Sequence, residues 1–182
     1  MERRSALELR TTGGKSPRLA GYAAVFDRPS EDLGGFVEYV RAGAFRRSLE
    51  SNSADPLALV HHMPHMVLGR RSAGTLRLSE DSHGLAFEID LPDTQTARDL
   101  AVSVERGDIR GASFAFTVAP DGDRWSFDGG RATRDLLDVT LHEITITATP
   151  AYPDTEVARR ALAALTPAAP RLRAARRFLD TL

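Results

Sequence analysis

The middle of this chain is a succession of strand-length runs bounded by short turns. "PLALVHHM", "GTLRLSE" and "GLAFEIDLP" are separated by "GRRSAG" and "DSHG", and β-forming runs divided by Gly/Asp/Ser clusters read as an antiparallel meander. The period then changes once. In "PDTQTARDLAVSVERGDI", Ala97, Leu100, Ala101 and Val104 fall at i, i+3, i+4 and i+7, with Asp93 as candidate N-cap and Gly107 as the stop. Further strands follow in "GASFAFTVA", "DRWSFD" and "GRATRDLLDVTLHEITITATPAY". At the start, "LELR", "TTGGKSP" and "RLAGYAAVFD" read as strand, turn, strand, and "RAGAFRRSLES" spaces Phe45 and Leu49 for a short helix. Strands do not alternate with helices, which argues against a doubly wound fold. The expectation is a β-rich α+β domain, a partly closed antiparallel β-barrel with one or a few helices.

At 182 residues the chain has the length of about one domain, and 42% hydrophobic with 27% charged residues suits a folded globular unit. Residues 159–182 hold six Arg against one Asp, so they carry +5 and the rest −6 of a net −1. This divides the chain into a body, 1–158, and a basic Ala/Arg-rich tail, 159–182, expected to be helical and mobile. The tail reads either as a solvated appendage or as a tether to an acidic partner or nucleic acid. The acidic body has one Trp and three Tyr without a basic-aromatic face, so nucleic-acid binding is not expected of it. The absence of cysteine excludes disulfides, thiolate metal sites and cysteine nucleophiles. No apolar run approaches membrane-spanning length, and "MERRSALELRTT" lacks the apolar core of a secretory signal.

Three of five histidines, His61, His62 and His65, lie in "LVHHMPHMVLGR". Pro64 breaks the helical face that a His-Glu-x-x-His zinc pattern needs, and on a strand His61 and His62 would point to opposite faces, so metal and cofactor are not expected. In "RGASFAF", Gly111 and Ala112 leave room beside Ser113 while Phe114 and Phe116 anchor the strand; Ser113 is a candidate nucleophile or an ordinary strand serine. In "LLDVTLHEITITATP", alternation puts Val139, Leu141 and Glu143 on one face. Glu143 is then either a buried acid seeking a partner such as imidazole, or a strand-end group reaching water.

The order of "GYAAVFDRPS", "VRAGAFRRSL", "LVHHMPHMVLGR", "SEDSHGLAFEIDLPDT", "ERGDIRGASFAFTV" and "LHEITITATPAYPDT" resembles the prohead maturation proteases of tailed bacteriophages, distant relatives of the herpesvirus assemblins. The resemblance implies an assemblin-like fold and a serine protease with histidine, serine and acid on separate strands. Counting back from Gly69 in "LGR" makes His62 the base, with His61 and Met63 where the family carries Asn and Asp; Ser113 becomes the nucleophile and Glu143 the acid. His142 is the fallback third member, and the oxyanion donors are unassigned. The resemblance further implies cleavage of major capsid protein or scaffold inside an assembling prohead in the bacterial cytoplasm, self-cleavage that releases the tail, and a possible homodimer. The rival readings are a non-catalytic head-assembly scaffold derived from a protease domain and a metal-dependent hydrolase.

Overall fold

A computed structural model describes residues 2–6, 10–12, 17–51, 54–128 and 131–149. The tail 159–182 and the end of "TPAYPDT" lie outside the described residues. The elements are β1 (Glu2–Ala6), β2 (Arg10–Thr12), β3 (Arg18–Val25), β4 (Phe36–Val40), α1 (Arg46–Glu50), β5 (Leu57–Val60), β6 (Met63–Arg70), β7 (Leu76–Glu80), β8 (Gly84–Asp90), α2 (Gln95–Arg106), β9 (Gly111–Val118), β10 (Asp123–Asp128), β11 (Arg131–Leu136) and β12 (Val139–Thr147). The β-rich α+β expectation is met.

The barrel is not. The described strands form three sheets, ordered β1-β9-β12-β5-β6, β2-β3-β8-β7 and β10-β11-β4, with no closure among them. Nor is the pairing wholly antiparallel, since β4 runs parallel to β11 and β5 parallel to β12. The physical reason is that the first two sheets bury their apolar faces against each other instead of joining edges. Leu19, Ala23, Leu76, Phe87 and Ile89 from one sheet share a single core with Ala112, Phe114, Phe116, Ile144 and Ile146 from the other. The expected meander breaks for the same reason: β5–β6 and β7–β8 are antiparallel pairs, but β6 and β7 lie in different sheets. Gly69 permits the crossing, because a Cβ there would stand 3.0 Å from the Thr75 carbonyl oxygen and 3.2 Å from Ile89 Cγ2.

The helices form where apolar spacing placed them. In α2, Ala97, Leu100 and Val104 are buried, and Gly107 closes the helix at φ 80°. The N-cap is Thr94 rather than Asp93, with Thr94 Oγ1 accepting the Ala97 N–H at 3.3 Å. The short α1 is held from outside. Arg71 donates to the carbonyls of Ser48, Leu49, Ser51 and Ala54, satisfying groups that the helix end leaves free. The "GAF" turn before it is gripped by Glu80, whose carboxylate accepts the N–H of Gly43 at 2.5 Å and of Phe45 at 3.0 Å. Three strands went unread in the sequence, β1, β4 and β6; β1 pairs with β9, placing Ser5 opposite Ser113.

Candidate active site

β9 and β12 are central strands, and the residues on them sort cleanly by face. On β9, Ala112, Phe114 and Phe116 point into the core, where the Phe114 ring packs against Phe45 and Phe116, each with centroids 5.3 Å apart. Each such buried ring contributes about 1.5–3 kcal/mol of hydrophobic stabilisation, so the strand is fixed from beneath. Alternation then sends Ser113 to the other face.

β12 behaves less simply. Its register against β9 slips between Leu141 and Glu143, which pair with Phe116 and Ala115, so that His142 is an extra residue in the strand. Such a bulge reverses the phase of everything after it. Val139 and Leu141 lie in the core before it, Ile144 and Ile146 after it. The expectation that Val139, Leu141 and Glu143 share one face is therefore wrong, and the bulge is the cause. Glu143, Thr145 and Thr147 instead occupy the face that carries Ser113, and Thr145 stands directly opposite Ser113 in the register.

The histidines come to this face through a turn, not a strand. Val60 pairs with Met63, leaving His61 and His62 as a two-residue connection with φ of 49° and 58°. Two consecutive positive φ angles are the mark of a type I′ hairpin, a geometry that usually calls for Asn-Gly and costs a Cβ-bearing residue about 1–2 kcal/mol. In that conformation both side chains address β12, contrary to the expectation that they point apart. His62 Nδ1 lies 2.5 Å from Glu143 Oε1, with the two side chains 17% and 10% exposed. His61 Nδ1 lies 3.1 Å from Thr147 Oγ1. The turn is anchored by its backbone: His61 N–H donates to the Ile146 carbonyl at 3.0 Å and His62 N–H to Thr145 Oγ1 at 2.9 Å.

Of the residues singled out in the sequence, His62 and Glu143 meet directly and Ser113 joins them on the same sheet face, one strand over. The remaining histidines stand elsewhere. His65 is exposed on β6, and His142 is exposed with Nε2 3.1 Å from Thr117 Oγ1. Among the described residues no cluster of three or more His, Asp or Glu side chains is arranged to hold a metal ion. A carboxylate at Nδ1 fixes the neutral imidazole with its proton there and leaves Nε2 as the basic atom. Ser113, Glu143, Thr145 and Thr147 are all buried, at 3%, 8%, 0% and 4% exposure. A row of polar side chains sealed from water in this way requires internal partners.

A family model described as caudovirus prohead serine protease matches residues 5–167. The chain belongs to that family. The resemblance read in the sequence is thus borne out, and within the family the prohead protease of Enterobacteria phage HK97 is 29% identical over 147 residues, 79% of this chain. This chain covers 60% of that relative's length. The solved structure of the bacteriophage T4 capsid assembly protease aligns with a TM-score of 0.43 at 9% identity, over 81% of this chain and 99% of that one.

Two members of the polar face, Thr145 and Thr147, were not singled out in the sequence. Their signal was present in "EITITAT": polar residues at alternate positions, on a strand whose intervening isoleucines are core.

Proposed function

We propose that this chain is a serine endopeptidase that cleaves capsid or scaffold polypeptides during phage head maturation. His62 is its general base, Ser113 its nucleophile and Glu143 its orienting acid. The observation that carries the assignment is the 2.5 Å contact between His62 Nδ1 and Glu143 Oε1 on the sheet face that bears Ser113. His62 Nε2 takes the Ser113 hydroxyl proton as Oγ attacks the scissile carbonyl carbon. The same proton then passes to the leaving amine as the tetrahedral intermediate collapses to an acyl-enzyme. Water, deprotonated by Nε2, attacks the ester and releases Ser113. Glu143 keeps the Nδ1 proton in place and stabilises the imidazolium formed at each transfer.

Family membership supports capsid proteins as the substrate class and the interior of an assembling prohead as the place of action. In this reading residues 1–158 are the protease domain. The +5 segment 159–182 tethers the enzyme to the head until the enzyme cuts it away. A homodimer is part of the same proposal. Co-expression of wild type and Ser113→Ala with the capsid gene of the same phage tests it by intact-mass measurement. Capsid trimming and loss of a C-terminal fragment in the wild type alone is the expected outcome. Equal trimming of both chains by the two enzymes would overturn the serine mechanism.

A further inference from the structure

Thr145 is fully buried near the C-terminal end of β12, and its hydroxyl both accepts and donates a hydrogen bond. Oγ1 accepts the His62 N–H at 2.9 Å and donates to the Leu59 carbonyl at 3.1 Å. It therefore ties the end of β5 to the first residues beyond it across the His61–His62 turn. The same residue is the register partner of Ser113 and lies two positions from Glu143. One side chain thus touches the backbone of the proposed base while sharing a sheet face with the proposed nucleophile and acid.

We infer that Thr145 is a positioning residue for His62, and that its hydroxyl, not its bulk, holds the imidazole on Glu143. His62 occupies a backbone conformation, φ 58°, that a residue with a Cβ adopts only when its surroundings impose it. The His62 N–H is a fixed point of that conformation, and a strand hydroxyl directly below it is what fixes it. Swinging the turn by even an ångström carries the ring off a carboxylate 2.5 Å away, and a misplacement of that size slows a positioned reaction by about 10²-fold. The inference deepens the serine-protease reading; its kinetic arm rests on that reading, and its spectroscopic arm does not.

The test uses the full chain and three variants. Thr145→Val removes the oxygen and keeps the shape, Thr145→Ser keeps the oxygen and removes a methyl, and Thr145→Ala removes both. The first readout is the low-field proton resonance of His62 Nδ1–H in histidine-labelled protein, identified by its absence in His62→Gln. The second is the rate at which a fluorophosphonate labels Ser113. Thr145→Val should lose the resonance and label about 10²-fold more slowly, while Thr145→Ser keeps the resonance and most of the rate. Retention of the resonance in Thr145→Val overturns the inference, as does equal loss in folded Thr145→Ser, which would make packing responsible. If Thr145→Val does not fold, Thr145→Ser against Thr145→Ala makes the same one-oxygen comparison. If wild-type Ser113 is not labelled, the nucleophile assignment fails, and the resonance alone decides the role of Thr145.

Discussion

Leu141 and Glu143 stand two residues apart on β12 yet face opposite sides of their sheet, because His142 is inserted between them as a bulge. The extra residue offsets the alternation by one, so two residues that would otherwise share a face are sent to the core and to the polar site. Deleting His142 makes Leu141 and Glu143 neighbours, and ordinary alternation then keeps Leu141 inward and Glu143 outward, in the register each already holds against Phe116 and Ala115. The deletion should therefore leave Val139 and Leu141 in the core and keep the low-field His62 resonance, and loss of either would show that the bulge itself shapes the site. His142→Ala, which preserves the residue count, should likewise keep both. Urea denaturation and proton NMR on the two variants make the comparison.

Glu143→Gln should fold but act slowly. An amide can present an N–H to Nδ1 and stabilise the tautomer with the proton on Nε2, which is useless as a base, and loss of the orienting carboxylate in a serine triad costs on the order of 10³–10⁴ in rate. The rate of Ser113 labelling checks this, with thermal unfolding as the control for folding. A Glu143→Gln enzyme with wild-type rate would remove Glu143 from the mechanism.

The histidine cluster should divide by geometry. His62→Ala is expected to be as inactive as Ser113→Ala, whereas His65→Ala, altering an exposed side chain on β6, should retain cleavage. His61→Asn is the informative variant. Asn tolerates the left-handed φ of 49° better than His, so this change should keep activity and hold or raise stability by a few tenths of a kcal/mol to about 1 kcal/mol. Chemical denaturation beside a cleavage assay reads both.

Capping offers a test of local structure. Thr94 accepts the Ala97 N–H, whereas the Asp93 side chain is 94% exposed and engages Arg98. Thr94→Ala should cost about 1 kcal/mol, and Asp93→Ala between about 0 and 1 kcal/mol, as for exposed ion pairs. The reverse order in urea denaturation would relocate the start of α2.

Acid stability should depend on Asp135 of β11. Burial raises its pKa, but hydrogen bonds from Arg124 and Arg41 outweigh that and hold the carboxyl below its ordinary value. A depressed carboxylate stabilises the fold above the unfolded-state pKa of about 4, and that contribution is lost as pH falls through the folded-state value. Asp135→Asn should cost about 1–3 kcal/mol at neutral pH and flatten the fall in stability below about pH 4. Thermal melts of both proteins across pH 2–7, the range spanning carboxyl titration, provide the check.

Much of the local structure was legible in the chain. The i, i+3, i+4, i+7 spacing of Ala97, Leu100, Ala101 and Val104, with Gly107 behind it, specifies α2 because a helix has one buried stripe and one way to end. The alternation around Phe114 and Phe116 specifies β9 and turns Ser113 away from the core. The Gly69 spacing and the segments around Ser113 and Glu143 carried the family and its candidate residues. These are short-range features, governed by backbone period and local sterics.

Pairing was not legible. No local signal says that β6 and β7 part into different sheets, that β5 and β12 run parallel, or that β1 lies along β9, because such choices are made by which apolar faces can stack over long separations. The phase of Glu143 was misread since a bulge leaves no mark in composition; it exists only in the register with a partner strand. The histidine pair reads as strand in isolation, and becomes a positive-φ turn only where Thr145 and the Ile146 carbonyl meet its backbone N–H groups. Residue types are a property of the sequence, but the direction in which His62 and Glu143 point was decided by contacts between a turn and a strand more than 80 residues apart.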